Sequence, residues 1–225
     1  MGKEKIKDGS IKMDIHAIMQ SLCRKRNIFH LESDFQFALA WEIKTLNTEY
    51  DIRLEVPFSF DKKGRIDIIV RTNDGIYPIE LKYLKKALTV TVDDEQFMLA
   101  DGAHDLDMYS CMNDIARIES YVGRLSGFRK GYIIWLTNDP AHWTSDYDAS
   151  YYKAFHAPDG AVKSGRMCHE AINKRTGKPP QILSEPKYKS PITLEGRYLI
   201  KWSDYSDLGV AKGAFKYSVI EIPNF

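Results

Sequence analysis

The twenty residues from Gly64 to Tyr83, GRIDIIVRTNDGIYPIELKY, constrain this chain more than any other stretch. Two runs rich in Ile, Val and Tyr flank the turn signal Thr72-Asn-Asp-Gly75, so they read as paired strands of a hairpin. With Thr72 opposite Gly75, Asp67 falls opposite Glu80 and Arg65 opposite Lys82. Side chains alternate across a strand, so these four charged residues share one face. Ile66, Ile68, Val70, Ile79, Leu81 and Tyr83 share the other. Opposed side chains sit roughly 5 Å apart, and opposed like charges weaken a sheet. Two carboxylates facing each other in otherwise apolar strands therefore need a reason. A divalent cation between them is one reason, because Mg²⁺ takes a few hard oxygens and keeps exchangeable waters. Lys82 on the same face would then orient an attacking water or stabilise phosphoryl charge. The other reason is plain: a lattice of cross-strand ion pairs on a solvated face.

The flanking sequence reads as an α/β chain. Ile15, Ile18, Met19 and Leu22 recur at helical spacing over 13–22, and Arg24, Lys25 and Arg26 close that helix. A second helix starts with Ser33 as its N-cap; Phe35, Leu39, Ile43 and Leu46 form its apolar stripe, widened by Phe37, Ala40 and Trp41. DIRLEVPFSF alternates as a half-buried strand, LTVTV reads as a strand, and a helix spans 106–122. GYIIWLTND is a short apolar strand. Residues 139–192 read as irregular with one helical candidate near 166–173, and RYLIKW and FKYSVIEI as closing strands. The polar, Lys-rich residues 1–10 read as frayed. Without repeat, low-complexity tract or linker, 1–225 reads as one domain, with a core about 31–136 and C-terminal strands within 195–222.

Composition narrows the function. The 225 residues are 44% hydrophobic and 28% charged, a globular mix long enough to fold without metal or disulfide staples. Three scattered cysteines point to a reducing compartment, so a cytoplasmic location is expected. No signal-peptide core or membrane-length apolar run is present. The net charge of +1 rules out a uniformly basic surface but not a local groove. Residues 91–119 carry eight acidic side chains against one basic, while 1–30 and 120–180 are net basic. Nucleic acid would approach through the basic regions.

The order of elements and the motifs G-R-I-D and I-E-L-K together resemble the PD-(D/E)XK nuclease superfamily, over roughly Leu31 to Leu136. The resemblance implies a restriction-endonuclease-like core, a mixed β-sheet flanked by helices, and Mg²⁺- or Mn²⁺-dependent hydrolysis of phosphodiester bonds in DNA. It implies that Asp67, Glu80 and the Leu81 carbonyl bind the metal and that Lys82 positions or activates water. Glu32 matches the family's helix-borne acid, with Glu42 as the alternative. Gln36 lies one turn after Glu32 on the same face. Ile66 stands where the motif's name has proline. In the later helix Tyr109 matches a backbone-contacting motif loosely, with His104 or Asp105 where a Gln is expected. Arg65, Lys174 and Arg175 are further candidate nucleic-acid contacts, the last two equally readable as a solvated loop. A nuclease fold without catalysis, binding nucleic acid or a protein partner, is the alternative. Whether two copies pair as a homodimer is open. The six histidines lack zinc spacing and read as surface or satisfied core residues. The aromatics from Trp135 to Tyr152 read as core or interface rather than base-stacking residues. No Walker A, G-x-S-x-G or G-x-G-x-x-G pattern occurs.

Overall fold

The computed structural model describes residues 13–62, 64–144 and 150–224; the opening residues expected to fray lie outside them. The chain begins with α1 (Ile15–Cys23), whose N-cap Asp14 accepts the Ala17 N–H at 3.0 Å. Just beyond its end, Lys25 pairs with Glu42 at 2.7 Å and Arg26 with Asp34 at 2.9 Å. The cations expected to close α1 therefore tie it to α2 (Glu32–Leu46). That helix starts one residue before the expected Ser33 cap. Leu31 takes the N-cap position without a side-chain bond, and Glu32 enters the first turn.

A mixed six-stranded sheet forms the centre. Its first three strands, β1 (Asp51–Pro57), β2 (Arg65–Thr72) and β3 (Gly75–Leu84), pair antiparallel. A hairpin of β4 (Leu88–Val92) and β5 (Glu95–Leu99) follows. Its turn places Asp93 and Asp94 at φ 50° and 66°, the left-handed pair that a two-residue hairpin turn requires. Then α3 (His104–Glu119) crosses the sheet, and β6 (Lys130–Thr137) returns parallel to β3. The long connection expected to be irregular contributes β7 (Val162–Met167), which pairs with β8 (Ile192–Leu199), and the one-turn α4 (Pro186–Lys189). No helix forms at 166–173, because Arg166 and Met167 end β7. RYLIKW is divided between β8 and β9 (Trp202–Asp207), and β10 (Ala214–Pro223) closes the sheet between β6 and β9.

Two cores sandwich the sheet. Ile18, Met19, Phe35, Leu39 and Ile43 of α1 and α2 pack on Ile68, Val70, Ile79 and Leu81. On the opposite face, Met108, Cys111, Met112, Ile115 and Ile118 of α3 pack on Ile66, Ile133 and Trp135, with β7 and β8 alongside. At Gly131 of β6, α3 comes so close that a Cβ would meet the Ile118 side chain. The apolar stripe of α2 is narrower than expected. Phe37 and Trp41 are 60% and 67% exposed, stacked on each other, and Leu46 is also exposed. Trp135 and Tyr152 are buried as core aromatics, whereas 145–149 lie outside the described residues.

Candidate functional site

The hairpin keeps the expected register from Thr72–Gly75 to Ile68–Ile79, where the ladder stops. Beyond it β2 leaves β3, so the β3 amides that pointed at β2 need other acceptors. Carboxylates provide them. Asp67 Oδ2 accepts the Leu81 N–H at 2.7 Å, and Glu32 Oε2, from the first turn of α2, accepts the Tyr83 N–H at 2.8 Å. The other side of β2 is interrupted at the same place. Leu54 pairs with Ile68 and Val56 with Ile66, while Glu55 between them adopts φ 54°. Gln36 of α2 clamps this kink, donating to the Asp67 carbonyl and to Glu55 Oε1, both at 2.7 Å. The kink corrects the alternation read from sequence: Ile66 packs with α3, whereas Ile68 packs with α1 and α2. Arg65 is not opposite Lys82 either. It pairs with Pro57 of β1 and donates to the Glu55 carbonyl at 3.3 Å.

Glu80 and Lys82 project toward α3, which answers each with a charge. Lys82 Nζ pairs with Asp114 Oδ2 at 2.9 Å and donates to the Leu81 carbonyl at 3.1 Å. Glu80, only 2% exposed, pairs with Arg117. Asp114 and Arg117 were not singled out by the sequence reading. Their signal was present: two charges three residues apart beside the apolar stripe of α3, Arg117 being the one basic residue of the acidic block.

The electrostatics bind these groups into one cluster. Burial pushes the Asp67 carboxyl up to about 6, against the Leu81 N–H and Lys82, with Glu32 and Asp114 adding to the rise. Burial, then Asp67 and Asp114, raises Glu80 despite Arg117 and Lys82. Burial alone would lower Lys82, but Asp114 and Glu32 outweigh it and hold the ammonium above its ordinary value. Lys82 is therefore a fixed positive charge at neutral pH rather than a base. Burial also lifts Asp107 to about 6, with Asp105 and Glu32 contributing.

The donors suit a hard cation: Asp67, Glu80 and the Leu81 carbonyl are oxygens on adjoining strands, and the Asp67 charge already disfavours ionisation of Glu80. Among the described residues no three His, Cys, Asp or Glu side chains form a metal-holding group; this set has two side chains and a carbonyl. Glu42 belongs elsewhere, fastened between α1 and α2 by Ser21 and Lys25. Tyr109 donates to the Lys187 and Ser190 carbonyls at 2.8 and 3.2 Å and stacks on His169, anchoring the α4 segment. Lys174 pairs with Glu170 at 3.5 Å, and Arg175 sits exposed in the turn bridged by Asn173 and Lys178. The His104 and His142 rings lie 4.1 Å apart, tilted by 34°, and the His156 ring bonds the Ala141 carbonyl at 2.9 Å. Compared with family models, curated proteins and solved structures, the chain matches none of them.

Proposed function

We propose that the protein is a metal-dependent nuclease that hydrolyses phosphodiester bonds in DNA, built on a restriction-endonuclease-like core. The observation that carries this reading is the convergence of Glu32, Asp67, Glu80 and Lys82 where β2 parts from β3. Supporting it is the order of elements, α2, three antiparallel strands, the β4–β5 hairpin, α3 and a parallel β6. Asp67, Glu80 and the Leu81 carbonyl would hold Mg²⁺ or Mn²⁺. A bound divalent cation supplies Lewis acidity, stabilising charge on the phosphodiester and lowering the pKa of water. Lys82, kept cationic by Asp114, orients the attacking water and offsets phosphoryl charge. Glu32 fixes β3 through the Tyr83 amide, and Gln36 fixes the kink that presents Asp67.

Asp67→Ala or Lys82→Ala should abolish Mg²⁺-dependent cleavage while circular dichroism shows an intact fold. Absence of cleavage of linear, nicked, branched and single-stranded DNA by the native protein, with Mg²⁺ or Mn²⁺, rejects the activity on those substrates. One observation favours a second reading, a nuclease-fold module that binds nucleic acid or protein without cutting. Glu80 and Lys82 each already have a counter-charge from α3. Thermal melts separate the two readings, since a ligand that binds only the native state stabilises it. A rise with millimolar Mn²⁺ that vanishes in Asp67→Asn supports the nuclease; no rise supports the module.

A further inference from the structure

Arg117 does more in this fold than neutralise one carboxylate. Its side chain, 12% exposed, carries the guanidinium under the connection between β1 and β2. Nη2 pairs with Glu80 and donates to the Arg65 carbonyl at 3.3 Å. Nη1 lies 4.0 Å from Asp61, whose carboxylate also accepts the Tyr121 hydroxyl at 2.6 Å. Gly64 leaves room for it, since a Cβ there would sit 2.8 Å from Nη1. One side chain on α3 thus joins Glu80 to Asp61, Gly64 and Arg65. Glu80 is also one of the two carboxylates that would hold a cation. A guanidinium and a divalent cation compete for the same buried oxygens, and a buried carboxylate stripped of both is strongly disfavoured.

We propose that Arg117 is a latch on the cation site: it holds Glu80 in the metal-free protein and yields it when a divalent cation binds, releasing the β1–β2 connection. This rests on the cation-site reading above. While the latch is closed Glu80 is not available, so apparent cation affinity falls by the fraction of molecules with an open latch. The neighbouring Lys82–Asp114 pair holds no ligand carboxylate; Lys82 touches the ligand set only through the Leu81 carbonyl, at 3.1 Å.

The test is calorimetric titration of the full chain with Mn²⁺ alone, for the native protein, Arg117→Gln and Asp67→Asn. Arg117→Gln should melt at a lower temperature without metal yet bind Mn²⁺ about tenfold tighter, because the closed state is gone. In the native protein Mn²⁺ should speed amide exchange at Asp61 and Gly64; in Arg117→Gln that exchange should be fast before metal is added. If Arg117→Gln binds no tighter than the native protein while Asp67→Asn loses binding, the latch is wrong and the cation site stands. If neither the native protein nor Arg117→Gln binds Mn²⁺, the cation site is wrong and the latch falls with it. Should Arg117→Gln fail to fold, Arg117→Lys keeps a charge but not the planar fork. It must still bind Mn²⁺ more tightly than the native protein, and an unchanged affinity overturns the latch.

Discussion

Asp67 holds a carboxylate where burial disfavours its charge, and it bonds the Leu81 amide that β2 no longer reaches. An asparagine keeps an oxygen for that amide and removes the buried charge. In the folded chain Asp67 titrates near 6 rather than 3.8, so folding binds a proton in between and ionisation costs stability as pH rises through that window. Asp67→Asn should therefore raise the melting temperature of metal-free protein at pH 7.5. The gain corresponds to about 3 kcal/mol, or roughly 6–12 °C, and should shrink toward zero near pH 4. Melts in EDTA across that range check it; a loss of stability at neutral pH would show that Asp67 is held by its bonds more than it is strained by its charge. At this scale sequence went far. The carboxylates and the lysine were legible because they interrupt apolar strands, but the register read from the turn holds only to Ile68–Ile79, one pair short of Asp67 and Glu80. The kink at Asp67 was not, since it arises from Gln36 and Glu55, residues brought in from α2 and β1.

Among the elements, α3 decides what the site can do, because it brings Asp114 and Arg117 onto β3. Its distance from the sheet is set where Gly131 of β6 admits the Ile118 side chain. Gly131→Ala inserts a methyl group into that contact, and overpacking of this kind costs about 1–3 kcal/mol. Chemical denaturation should show this loss, and Ile118→Ala in the same chain should recover part of it. If the double variant is no better than the sum of the two singles, the contact does not set the helix position. The period of α3 was readable from Met108, Met112, Ile115 and Ile118, but which strand it covers was not. The extent of α2's apolar stripe was misread for a different reason: at about 100° per residue Phe37 and Trp41 fall on the side of the helix away from Phe35, Leu39 and Ile43, so no sheet lies beneath them.

Across the whole molecule, three distant segments meet in a buried histidine cluster: His104 at the start of α3, His142 after β6 and His156 in the long connection. Burial lowers His104 to about 4, drives His142 well below 6.5, and lowers His156. Above about pH 6.5 the rings are neutral in both folded and unfolded chains, so they add no pH dependence. Below it only the unfolded chain takes up protons, and stability falls as pH drops from 6.5 toward 4. His142→Phe should shift the acid-unfolding midpoint to lower pH, as followed by circular dichroism. An unchanged midpoint would mean that the cluster does not govern acid unfolding. Nothing in the sequence joined these histidines, which lack any ligand spacing and come together only when the chain folds back over α3.

The sequence by itself determined the hairpin, its register to Ile68–Ile79, the helical faces of α1 and α3, and the placing of Asp67, Glu80 and Lys82 on the two strands of that hairpin. All of these depend on local periodicity and turn chemistry, which act over a few residues. Only the tertiary structure decided where β2 parts from β3, which amides the freed carboxylates bind, and that Arg117 answers Glu80. Those outcomes depend on groups 14 to 51 residues apart competing for the same buried bonds, and a competition of that kind is settled by packing.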